Sequence, residues 1–128
     1  MKILKFETPP GRRECFINVA QVAAVGPCFC RLDVGFFEGT TIMLKNGGEV
    51  KVYGSVMDIM TILKLKFLRF EVLSNKQDCF VDVKEVAAVV PCFVDVHRFE
   101  GTTIILSGGG KVSVHGSPNK IYEKVKLY

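Results

Sequence analysis

Apolar and polar residues alternate over residues 3–8, so that Leu4, Phe6 and Thr8 share one face. A period of two predicts a strand with one buried side. The stretch 67–72 repeats the pattern with Leu68, Phe70 and Val72 inward. Turn residues follow each strand: Pro9-Pro10-Gly11 in one place, Ser74-Asn75 in the other. Second strands are predicted over 15–19 and 79–83. Asn18 and Asp82 then stand three residues before Gln21 and Glu85, a capping-box spacing that predicts single helical turns at 19–21 and 83–85. Third strands, 22–25 and 86–89, are expected to end at Pro27 and Pro91. A fourth segment begins at Cys28 and Cys92 and is broken by a loop at 31–36 and 95–98.

The strands carrying Gly-Thr-Thr, 40–45 and 102–107, place Ile42 and Leu44, and Ile104 and Leu106, on one face. Asn46-Gly47-Gly48 and Gly108-Gly109-Gly110 predict hairpin turns, because glycine reaches the positive φ these need. The return strands are 50–53 and 112–115. Gly54-Ser55 and Gly116-Ser117 open two helices, serine being a favoured N-cap and Pro118 suiting the first helical position. Helix 56–63 turns Val56, Ile59, Met60 and Leu63 inward. Helix 118–125 is expected to do the same with Ile121, Tyr122 and Val125.

The chain is thus one unit written twice. Residue 1 aligns with 65 without a gap as far as Phe29 and Phe93, and after a two-residue deletion the match resumes at Phe37 and Phe99. Nearly half of the aligned positions are identical, which predicts an internal duplication. The fold class expected is α+β, mainly antiparallel β. Two tandem strand-rich repeats, 1–64 and 65–128, each end in a hairpin and a short helix and pack with pseudo-twofold symmetry. A unit of that size is marginal alone, and only Lys64-Leu65-Lys66 separates the copies. The two halves are therefore expected to share a core as one compact domain, with strands left at sheet edges where further copies can pair.

The order Gly-Thr-Thr-Ile, glycine turn, Val-x-Val, Gly-Ser and helix resembles the small flagellar FlbD-like group of bacterial proteins. Residues 101–106 through Ser117 and Pro118 carry the closest likeness. The resemblance implies a short bacterial or phage domain of unknown biochemistry, here duplicated. A weaker similarity is to LytTR-type DNA-binding domains, which implies nucleic acid as a partner.

Composition changes this picture little. The chain has 128 residues, of which 48% are hydrophobic and 23% charged, enough apolar material for a core. Its net charge of +4 tolerates nucleic acid, phosphates or acidic lipid but demands none of them. No apolar run is long enough for a transmembrane helix, and the alternating start does not read as a signal peptide. Five cysteines with no framework spacing read as reduced thiols in a cytoplasm.

Candidate chemistry is sparse. Cys28-x-Cys30 lacks the second pair that zinc takes, and valine replaces Cys30 in the second copy. His97 and His115 have no nucleophile beside them in sequence. The glycine turns lie between strands, unlike a phosphate loop, which precedes a helix. No catalytic residue, metal ligand or cofactor is expected. Lys51 and Tyr53 share the outward face of a return strand, with His115 at the place of Tyr53. A cation beside an aromatic suits a nucleotide or single-stranded nucleic acid, and a solvated sheet face gives the same pattern. Gly54 and Ser55, and Gly116 and Ser117, offer helix N-termini to an anion, although a plain cap explains them equally. The expected function is that of a non-enzymatic, self-associating binding protein. Nucleic-acid binding and sequestration of a nucleotide-like anion are the alternatives.

Overall fold

The computed structural model describes residues 2–32, 35–73, 77–95 and 98–127, with the side chains of 29–38 and 93–100 outside that description. His97, the turn residues Ser74-Asn75 and the centres of both sequence-predicted loops therefore lie outside the described residues. The fold is α+β and dominated by antiparallel strands.

Strands β1 (Ile3–Thr8) and β2 (Arg13–Asn18) form a hairpin in which Phe6 faces Cys15. A single 3-10 turn, Val19–Gln21, leads into β3 (Val22–Leu32), β4 (Gly35–Leu44) and β5 (Glu49–Val52), and helix α1 (Val56–Leu63) follows. The same order recurs as β6 (Leu68–Glu71), β7 (Asp78–Val81), the 3-10 turn Val83–Glu85, β8 (Val86–Asp95), β9 (Arg98–Leu106), β10 (Lys111–Val114) and α2 (Pro118–Leu127).

Three sheets result: β1-β2, β5-β4-β3-β7-β6 and β10-β9-β8. Main-chain bonds bridge them. The Tyr53 N–H donates to the Glu7 carbonyl at 2.9 Å, and the His115 N–H donates to the Glu71 carbonyl at 2.9 Å. Across these links the strands run β2, β1, β5, β4, β3, β7, β6, β10, β9, β8. The halves meet where β7 adds to β3, with Ala24 facing Val81 and Val25 facing Phe80. Strands β2 and β8 stand at the two ends of this order.

Three expectations are corrected. Strands β3 and β8 do not stop at proline; Pro27 pairs with Thr40 and Pro91 with Thr102 inside them. The registered β7 contacts of β3 are at Ala24 and Val25, before the proline, and β8 has β9 as its one neighbour. A missing N–H on an uncovered edge breaks no ladder. The capping box is only half made. Asn18 and Asp82 each accept from the N–H two residues on, at 3.1 Å. The Asp82 N–H, however, donates to the Ala23 carbonyl at 2.9 Å, so it is not there for Glu85 to receive. Tyr122 is exposed and does not point inward, because α2 leaves part of its apolar side without a cover.

Among the described residues the buried side chains gather in two clusters. The first gathers Phe6, Ile17, Val22, Val25, Ile42, Val52 and the inner face of α1. The second gathers Phe70, Cys79, Val81, Ile104, Leu106, Val114 and Ile121. Each borrows from the other half: Phe80 packs against the first, while Ala23 and Ala24 belong to the second.

Candidate functional site

The Gly-Ser junctions are fixed from beneath. Thr40 and Thr102 are fully buried, and their hydroxyls donate to the Gly54 carbonyl at 2.8 Å and the Gly116 carbonyl at 2.7 Å. Both glycines sit at φ +113°, where an added Cβ would stand 3.3 Å from Ile59 and Ile121. These are positions only glycine fills without strain. The next residue then caps a helix. Ser55 Oγ accepts from the Asp58 N–H at 3.1 Å, and Ser117 Oγ accepts from the Lys120 N–H at 3.3 Å. Both serines are thus committed to their helices.

The electrostatics at the two helix starts differ. Asp58 lies in the first turn of α1, and Asp78 lines the groove that Gly54 and Ser55 share with Gln77. The Asp58 carboxylate complements the helix dipole, and Asp78 Oδ2 lies 3.7 Å from the Arg69 guanidinium. The first turn of α2 has no acidic residue. The two helix starts therefore differ in the charge of their first turns.

Tyr53 and Gly54 line another open groove with Lys5, Glu7 and Arg12. The Arg12 guanidinium lies 4.4 Å above the Tyr53 ring and 3.1 Å from Glu7 Oε2. Lys51 is exposed on β5, opposite Thr41, and its carbonyl accepts from Thr8 Oγ1 at 2.7 Å. In the other half, His115 Nε2 stands 3.7 Å from Glu71 Oε1, where protonation would make an ion pair. His115, Gly116 and Ser117 are half-buried. The sequence-predicted residues thus fall into separate groups and are not gathered in one cavity.

Among the described residues, no cluster of three His, Cys, Asp or Glu side chains is placed to hold a metal. Cys15, Cys28, Cys79 and Cys92 stand as thiols. Burial pushes the Cys79 thiol up to about 12, and the nearby Asp78 charge adds to the shift. Burial also pushes Cys15 up. Neither has the lowered value of a nucleophilic thiolate.

A different surface stands out. Phe16 on β2 is 66% exposed, although the aligned Phe80 is packed at the junction of the halves. At the far end of the strand order, β8 and α2 frame an open groove of about 600 Å³. Val86, Ala87, Ala88 and Val89 form its floor, and Tyr122 and Val125 its wall. The sequence readings above do not set Phe16 apart from Phe80. The signal available was that Phe16 and Phe80 sit at equivalent places in the two halves.

No helix among the described residues is long and apolar enough to cross a membrane. Comparisons with protein-family models, with curated proteins and with solved structures returned no match.

Proposed function

We propose that the chain is a non-enzymatic binding protein that assembles with copies of itself. The observation that carries this reading is the pair of uncovered strands at the ends of the order, β2 bearing an exposed Phe16 and β8 bearing an apolar floor. Uncovered edges with apolar side chains are templates for strand addition. In this reading the chain is a tandem duplication of an FlbD-like bacterial or phage unit, working in a reducing cytoplasm. Repeating the head-to-tail step of the β3–β7 junction makes a second one that the single chain leaves unmade.

The test is native mass spectrometry of the protein as purified, across a dilution series. A defined multimer is expected. A monomer at every concentration would overturn the reading. A second reading, binding of a nucleotide-like anion or single-stranded nucleic acid, is favoured by the Arg12–Tyr53 stack beside Lys5 in an open groove. A discrete added mass in the same spectrum, lost on raising the salt, would support it.

A further inference from the structure

We propose that β2 of one copy adds to β8 of another, with Phe16 seated in the groove between β8 and α2. This rests on the self-association reading and names the surfaces that join.

The warrant is a junction the chain already makes. Val22, Ala23, Ala24 and Val25 of β3 are 1%, 1%, 2% and 0% exposed, because β7 lies along them and Phe80 packs over the first core. Met60 and Leu63 of α1 complete the same buried wall. The aligned residues of the other half are identical at all four floor positions: Val86, Ala87, Ala88 and Val89. None of those four is buried, and Ala87 is exposed. The wall residues aligned with Met60 and Leu63 are Tyr122, 52% exposed, and Val125, half-buried. One seat is filled and its counterpart is open.

The strand that fits the open seat is β2. The filled seat takes Phe80, Val81 and Asp82, which align with Phe16, Ile17 and Asn18. Among the described residues, β2 pairs with β1 alone and β8 with β9 alone. The Val19 N–H turns towards the N-terminal segment, donating to the Lys2 carbonyl at 3.0 Å. Successive amides in a strand alternate in direction, so the Asn18 N–H turns to the opposite, open edge. Its counterpart, the Asp82 N–H, makes the bond to Ala23. The register follows: Ile17 opposite Ala88, Phe16 opposite Val89, and the Asn18 N–H donating to the Ala87 carbonyl. Knob and seat lie at opposite ends of the strand order, so the occupant is a second copy. A contact of this kind joins unlike surfaces, and it closes a ring or extends a filament according to its rotation.

Two substitutions at exposed positions test it, Phe16→Glu and Ala87→Glu, with circular dichroism as the check on folding. Each alone is expected to reduce the multimer to monomer. An equimolar mixture is expected to recover a dimer, because the first variant keeps the seat and the second keeps the knob. A multimer unaffected by either change, or a mixture that stays monomeric, would overturn the junction while leaving self-association standing. A monomeric wild type would instead overturn self-association itself. Val90→Cys supplies a readout that needs no disruption. Val90 aligns with Gly26, where an added Cβ would lie 3.5 Å from the Cβ of Cys79, the residue aligned with Cys15. That spacing suits a disulfide. Oxidation with copper phenanthroline is expected to link the introduced thiol to Cys15 of a second copy, read by peptide mapping. Cross-links confined to other cysteines would count against the register.

Discussion

Thr40 and Thr102 hold the two Gly-Ser junctions through one hydroxyl each, and both are fully buried. Valine has nearly the same shape but no donor. Thr40→Val is therefore expected to leave the Gly54 carbonyl unpartnered and to cost about 1–3 kcal/mol. Urea unfolding would read the loss, and Thr102→Val should match it closely because its bond differs by only 0.1 Å, from 2.8 to 2.7 Å, and both threonines are fully buried. An unchanged midpoint in both would mean that these bonds contribute nothing net. The parity of the strand was legible in the sequence, since Thr40 lies two residues from Ile42 and four from Leu44. The bond was not, because alternation says which way a side chain points and nothing about which carbonyl it meets. The candidate residues fared similarly. Ser55 and Ser117 were readable as caps, while Asp78, which lines a groove with Ser55, comes from the other half of the chain.

Strands and helices were largely legible where one residue type controls the boundary. The serines fixed the helix starts, and the glycine pairs fixed the hairpins. Prolines misled, because Pro27 and Pro91 lie inside strands whose outer edge is uncovered there. Glycine also had two roles that sequence cannot separate. Gly109, at φ +101°, shapes its own turn. Gly108 has no positive φ; it is small because the other hairpin touches it. A Cβ there would lie 2.2 Å from the Lys45 carbonyl oxygen and 2.6 Å from the Gly47 nitrogen. Both are main-chain atoms, so the two turns must separate to admit a methyl group. Gly108→Ala is expected to destabilise by about 1–3 kcal/mol, the range for overpacking. Gly109→Ala meets no atom within 4 Å and is strained only by its φ. A thermal melt of each would show whether the turn contact matters; a Gly108→Ala protein as stable as wild type would mean that it does not.

At the scale of the whole molecule, the alignment of the two halves was legible in the sequence and the junction was not. Two strands of equivalent sequence, β2 and β7, compete for two seats of equivalent sequence, β3 and β8, and only packing in three dimensions decides which pair forms within one chain. Cys79 lies at the pair that does form. It is 1% exposed, belongs to the second core, and sits on the strand that β3 receives. Its thiol is raised from 9.0 to about 12, chiefly by burial. In the unfolded chain the thiol ionises near its ordinary value, while in the fold it stays neutral. Stability from this group is therefore complete below pH 9 and is lost as pH rises from 9 towards about 12. The expected loss is about 1.4 kcal/mol per pH unit across that window. The comparison is with Cys79→Ala, which shares every other group and whose cavity lowers stability at every pH. Urea unfolding between pH 7 and 11 should show the wild-type curve falling towards that of the variant above pH 9. Parallel curves would mean that Cys79 ionises as readily in the fold as out of it, and that the seam between the halves admits water.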